Sequence, residues 1–194
     1  MKRLTPDEVL LGLLKAQPAH GYDLLEWFRS PQHLGLIWKM STSQLYAVLK
    51  RLEEKGLIAG RVLPRADAPS RTEYALTDKG ETRMMDWLND PHPPISIHRI
   101  RVLFLSRLYI ASLLDLPTDG IIDRQLTACL KHHQRMQTEL AEVSTDIEKL
   151  TLTYMIGQFE AVVRWLKNCQ TEPLHIPKDF PTNAPAASSH HPER

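Results

Sequence analysis

The chain has 194 residues, 42% of them hydrophobic and 24% charged, with a formal net charge of +1 and two cysteines. That length allows one or two domains around a packed core, and the balance excludes a chain too polar to fold. Two cysteines make no disulfide framework, so a reducing cytoplasm fits best. The most apolar run, 102–116, is broken by Ser106 and Arg107 and is shorter than the ~18 residues a membrane span needs. The basic start Met1-Lys2-Arg3 runs into a helix with Asp7 and Glu8 and no cleavage site, so no signal peptide is expected and the protein reads as soluble.

In chain order, Thr5-Pro6-Asp7-Glu8 reads as a helix start, with a cap, a proline at N1 and a glutamate at N3. Val9, Leu10, Leu13 and Leu14 carry that helix to about Gln17, where Pro18 stops it. His20-Gly21 leads into a short second helix through Tyr22, Leu24, Leu25 and Phe28. After an interruption with Pro31 and Gly35, residues 40–56 form a third helix with its own start and stop signals. Ser41 and Gln44 make a capping box, Met40 and Leu45 a hydrophobic staple, and Gly56 the left-handed end. Leu45, Val48, Leu49 and Leu52 share one face. The opposite face presents Ser43, Ala47 and Lys50, edged by Gln44 and Arg51 on one side and Tyr46 on the other.

Two short strands follow, Leu57 to Leu63 and Thr72 to Leu76, around a breaker-rich tip at 64–70. Thr77 caps a fourth helix reaching about Asn89. Three helices, a two-stranded wing and a further helix make a winged helix-turn-helix order. Asp90-Pro91-His92-Pro93-Pro94 reads as a stiff linker.

The second half reads as all helical. Ile97 to Leu114 is apolar almost all round, so burial on several sides is expected. Ile122, Leu126, Cys129, His133, Met136, Leu140, Val143, Ile147 and Leu150 keep alternating spacings of four and three, a heptad seam that favours self-association. Leu152, Ile156, Phe159, Val163 and Leu166 keep the period but shift its phase, so a bend near 149–152 and a separate last helix are expected. The expected fold is mainly α: a winged domain over 1–90, a coiled-coil-like dimerisation domain over 95–169, and a disordered, proline-rich tail over 170–194.

A helix opening on Ser41, Thr42, Ser43 and Gln44 and continuing into basic residues suits insertion end-first into a DNA major groove. Charge distribution agrees: residues 39–71 hold seven basic side chains against three acidic ones, although total charge alone predicts no nucleic acid. Ser43 and Gln44 are candidates for base readout, with Gln44 alternatively held by its capping box. Tyr46 offers a ring to the core and a hydroxyl to phosphate. Lys50 and Arg51 are either phosphate contacts or solvated partners of Glu53 and Glu54. Arg65 at the wing tip is a backbone or minor-groove candidate, Arg71 either a contact or a hairpin brace, and Tyr22 a backbone contact.

Leu11-Gly12-Leu13-Leu14, His20-Gly21-Tyr22-Asp23-Leu24, the stretch Ser43 to Ile58, and Arg71 to Gly80 together resemble, in order and spacing over 4–88, the PadR family of bacterial transcriptional regulators. The second half, chiefly Gly157 through Trp165-Leu166, resembles the AphA-like virulence-activator branch. The resemblance implies a homodimer on a palindromic operator, more often a repressor than an activator, and in many members a response to small aromatic compounds. Trp87, Phe104 and Tyr109 are candidates for an effector cavity, against ordinary core packing; Trp38 and Trp165 read as structural.

No phosphate-binding glycine loop, nucleophile elbow or HExxH pattern occurs, so no catalytic residue, metal or cofactor is expected. Cys129 and His133 lack a second ligand pair and read as interface residues. Two rivals remain: a winged helix serving protein interaction without specific DNA binding, and a small enzyme using Cys129 with His133.

Overall fold

The computed structural model describes residues 4–64, 70–172, 174–179 and 181. Helix α1 (Asp7–Ala16) buries every residue from Val9 to Leu14. Its expected cap does not form. Pro6 stands at the cap position with no side-chain bond, and Glu8 instead accepts from Nη2 and Nε of Arg83 at 2.7 and 3.1 Å. A carboxylate placed for local capping is thus used in a tertiary ion pair with α4 (Asp78–Leu88).

The expected two-stranded wing is a three-stranded antiparallel sheet. Strand β1 (Ala19–His20) joins the edge of β3 (Arg71–Leu76), which pairs on its other side with β2 (Ile58–Leu63). Ala19 stands opposite Tyr74, and Ile58 opposite Leu76. Two residues between Pro18 and helix α2 (Gly21–Arg29) are too few to show a period in the sequence. Helix α3 (Thr42–Glu54) follows a turn-rich stretch and precedes β2. Thr77 caps α4 by accepting from the Gly80 N–H at 3.1 Å, and its hydroxyl donates to the Gly56 carbonyl at 2.8 Å. One side chain therefore joins the start of α4 to the end of α3.

The connector after α4 is tied on both sides. Arg107 donates to Asp90 at 2.8 Å, Arg124 to the Leu88 carbonyl at 3.1 Å, and Gln125 to the Pro94 carbonyl at 3.1 Å. Arg107 is buried, with Trp87 under its guanidinium at 5.6 Å; burial lowers its pKa while Asp90 opposes the shift. The apolar run beyond is α5 (Ile97–Arg99), a π-helical turn (Ile100–Phe104) and α6 (Leu105–Leu113). The run is buried on several sides as expected, and Ser106 Oγ satisfies the Val102 carbonyl at 2.6 Å.

Helices α7 (Asp119–Glu142) and α8 (Asp146–Thr171) form a hairpin whose turn lies earlier than expected. Val143 is extended, and Thr145 with Glu148 makes a capping box that starts α8, so the break is at 143–145 and not 149–152. This divides the heptad seam. Ile122, Leu126, Cys129 and Met136 are buried within the single chain, His133 and Leu140 partly so, and they do not offer the surface assigned to them for a dimer. Ile147 alone of the assigned set is exposed; Val143 is half-buried. His133 Nε2 lies 3.6 Å from Glu160 on α8.

The core is continuous from α1 through α6 to the α7–α8 hairpin. Beyond α8, Ile176 packs against that core and Lys178 pairs with Asp115, so 174–179 follow the protein surface; residues 173, 180 and 182–194 of the expected tail lie outside the described residues. Among the described residues no helix is long and apolar enough to cross a membrane.

Candidate nucleic-acid interface

The site is built on α2, the following turns and α3. Tyr46 on α3 packs on the start of α2: a Cβ at Gly21 would stand 2.8 Å from its ring and 2.9 Å from its hydroxyl. Glycine there lets the two helices approach. Residues 30–40 are held to the second half by Trp38, whose Nε1 donates to Ser106 Oγ at 2.8 Å, and by His33, whose Nδ1 lies 2.7 Å from the Tyr109 hydroxyl. Trp27 meets both His33 and Tyr109 edge-on, with ring centroids 4.6 and 6.1 Å away. The lead into α3 is therefore fixed by side chains of α6.

Burial lowers the His33 pKa, with Asp179 opposing, and raises that of Tyr109, so the hydroxyl is the donor and the ring is neutral. A histidine whose folded pKa is depressed costs nothing above its unfolded pKa; below that value the unfolded chain alone takes the proton. Denaturation midpoints should therefore fall as pH drops through about 6.5, and His33→Phe should flatten that slope.

Helix α3 keeps the caps read from its sequence. Ser41 Oγ accepts from the Gln44 N–H at 3.3 Å and Gln44 Oε1 accepts from the Ser41 N–H at 2.9 Å. At the far end the Leu57 N–H returns to the Leu52 carbonyl at 2.9 Å and the Gly56 N–H to Glu53 at 2.8 Å, with Gly56 at φ 67°. That is a Schellman motif. Leu45, Val48, Leu49 and Leu52 are buried; Ser41, Thr42, Ser43, Gln44, Tyr46, Ala47 and Lys50 are exposed. The N–H groups of Thr42 and Ser43, in the first turn, have no intrahelical acceptor and remain for an anion. Gln44 spends its carbonyl on the cap and keeps its amide donors for an adenine or phosphate acceptor.

The cationic candidates separate. Lys50 is 79% exposed at the side chain, with Glu54 3.9 Å away. Arg71 is exposed at the start of β3, and Tyr22 is exposed on α2 with Arg29 5.9 Å from its ring. Arg51 is a brace: its Nε and Nη2 both donate to Asp7 of α1, at 3.2 and 2.5 Å. We expect Arg51→Ala to cost about 1–2 kcal/mol of stability in denaturant titrations and leave sequence preference intact. Glu53 likewise serves the fold, accepting from the Gly60 N–H at 3.0 Å. Arg65 lies outside the described residues. Lys39 and Arg61, counted in the basic stretch but given no role, are both exposed, Arg61 across from Glu73. Strand register supplies the second of these, which periodicity alone does not.

The three aromatic effector candidates do not converge. Phe104 is fully buried and meets Trp165 edge-on at 5.5 Å; Tyr109 is engaged by His33; Trp87 lies under Arg107. Each is packing. Cys129 is fully buried and its thiol pKa is raised by burial, the reverse of an activated nucleophile. Among the described residues no group of His, Cys, Asp or Glu could hold a metal ion.

A short capped helix with a hydroxyl and amide tip, set on a helix-turn-helix beside a basic hairpin, defines a winged-helix DNA-binding protein. Residues 10–86 match the family model "Transcriptional regulator PadR-like family". The negative transcriptional regulator PadR of Bacillus subtilis (strain 168) is 30% identical over 142 residues, which is 73% of this chain and 72% of that protein. Among solved structures, Bacillus subtilis PadR in complex with operator DNA is similar over 88% of this chain and 98% of that one, at 25% identity and a TM-score of 0.46. The same protein in complex with p-coumaric acid is similar over 86% and 93%, at 24% identity and a TM-score of 0.39. The chain belongs to the PadR family: it is a DNA-binding transcriptional regulator, not an enzyme.

Proposed function

We propose that the protein is a cytoplasmic repressor that binds a palindromic operator as a homodimer and is released by a small aromatic effector. The observation that carries DNA reading is the first turn of α3, where Ser41, Thr42, Ser43 and Gln44 are all exposed beside unpaired-in-helix N–H groups. Repression rests on the relative named a negative regulator, and the effector class on that relative's complex with p-coumaric acid. In this reading residues 1–90 read DNA and 95–169 associate. We assign the second part to the longer AphA-like type on the Gly157 to Leu166 stretch.

Self-association is supported by an apolar stripe on the outer face of α8. Ile147, Leu150 and Tyr154 are 69%, 68% and 67% exposed at spacings of three and four, and Gly157 and Ala161 continue it with small residues.

Base readout and backbone attraction respond differently to mutation and salt. Gln44→Ala should narrow the gap between operator and random duplex by about 1–3 kcal/mol. Lys50→Ala and Arg71→Ala should weaken both duplexes alike and lower the salt slope by about one each. Fluorescence anisotropy over a salt series distinguishes the two patterns. A protein that shows no preference for its own promoter over random duplex is instead the interaction module.

A further inference from the structure

Beyond α8 the chain crosses back from the helical half to the winged one. A stretch of this kind stays on the surface only when something ties it there, and 174–179 have three ties. Ile176 is half-buried against the common core, Lys178 pairs with Asp115, and Asp179 bears on His33, opposing the fall in pKa that burial causes there. Leu174 and Ile176 line a cleft of 610 Å³ with Leu116 and Pro117, between α6 and α7. Lys178 lines a second, of 510 Å³, together with Trp27 of α2 and Met84 and Met85 of α4.

The anchor is built into the end of α6. The Leu116 N–H returns to the Ala111 carbonyl at 2.8 Å and the Asp115 N–H to Ser112 at 3.3 Å, a closure that sets Asp115 at φ 55°. Glycine takes that conformation most easily, yet Asp115 is the only non-glycine with a positive φ among the described residues. Asparagine and aspartate both tolerate it, but only aspartate supplies a charge for Lys178. The pair is weak: its side chains are 54% and 78% exposed, where solvent and salt screen most of the attraction. Docking that depends on such a pair and one half-buried isoleucine is reversible.

We propose that 174–179 act as a strap: clipped to Asp115 by Lys178, they hold residues 30–40 against α6 and so keep the first turn of α3 in the position that reads DNA. The docking stands by itself; its effect on base readout rests on the operator reading above. The route to α3 is short. Asp179 bears on His33, His33 is fixed between Trp27 and Tyr109, and the same connecting stretch ends at Ser41, the cap of α3. Ile176, Lys178 and Asp179 are positioning residues, outside the exposed tip of α3 itself.

The test uses the full chain. Trypsin cuts after Lys178, and the rate of that cut follows the undocked population. Asp115→Asn keeps both the left-handed turn and the scissile bond while removing the charge. It should speed cleavage at Lys178 about threefold or more at low salt, relative to a short unstructured peptide carrying the same bond. Added salt should bring the wild type towards the variant and leave the variant unchanged. Well below the unfolding midpoint, Asp115→Asn and Ile176→Ala should each weaken binding to the protein's own promoter about threefold or more, with random duplex held as before. Loss of a carboxylate raises the net charge, which alone would tighten both duplexes; a fall confined to the promoter therefore reports the placement of α3. Unchanged cleavage in Asp115→Asn, unchanged promoter affinity in both variants, or an equal change on both duplexes overturns the proposal. A wild-type chain with no preference for its promoter sinks the operator reading and the positioning role with it, and the cleavage rates then still decide whether the strap docks.

Discussion

Replacing Gly80 with alanine should destabilise the protein by about 3 kcal/mol or more, against the gain of nearly 1 kcal/mol that the same exchange gives in an open helix. A Cβ at that position would lie 2.0 Å from the carbonyl oxygen of Leu57, 3.0 Å from its carbon and 2.7 Å from Leu76 Cδ1. A methyl can displace the leucine side chain, but the carbonyl is backbone. It also accepts the Thr77 N–H at 3.2 Å, so its retreat would cost a second bond. The strain would fall where α4 crosses the junction of α3 and β2, which Thr77 fastens to Gly56. Denaturant titration should show the lowered midpoint, and a shift of roughly 6–12 °C in Tm should accompany it. A midpoint equal to or above wild type would mean that α4 does not approach Leu57 as closely as described. Because α3 ends at this junction, operator binding should fall with stability and recover as temperature is lowered.

The first half of the fold was legible where signals are local. Ser41, Gln44 and Gly56 bound α3 through bonds between residues three to five apart, and Thr77 does the same for α4; each appears where the sequence puts it. Local pattern failed where a distant group competed. Glu8 stands where a local cap is expected but accepts from Arg83, and Arg51, open in the sequence to phosphate or to Glu53 and Glu54, pairs with Asp7 of α1 instead. The tie from Trp38 to Ser106 and the packing of Tyr109 on His33 join residues 68 and 76 positions apart, a separation no periodicity encodes.

The heptad seam misled for a more instructive reason. Ile147 and Leu150 continue the α7 spacing in sequence, yet the chain has reversed at 143–145 before they occur. The jump in phase at Leu152 is two faces of one helix. Ile156, Phe159 and Leu166 turn to the core, while Ile147, Leu150 and Tyr154 turn outward. Pattern alone put the Leu152-to-Leu166 stripe on a separate last helix, where it is, but left Ile147 and Leu150 on the helix before the turn.

That outward face carries the largest functional effect we expect. In the proposed dimer, Leu150→Glu or Tyr154→Glu should abolish association, because each places a carboxylate in an apolar contact. The side chains are more than two-thirds exposed in the single chain, so the monomer should keep its unfolding cooperativity. Operator affinity should nevertheless fall by about 10²–10⁴, since the two half-sites would no longer be held at high effective concentration by one linked pair of domains. Affinity for a single half-site should change little, because α3 is untouched. Sedimentation velocity together with titration on full and half operators separates these effects. A variant that stays dimeric with full operator affinity would show that the stripe on α8 lies outside the interface. One that becomes monomeric yet still binds the full operator tightly would remove the need for paired winged domains altogether.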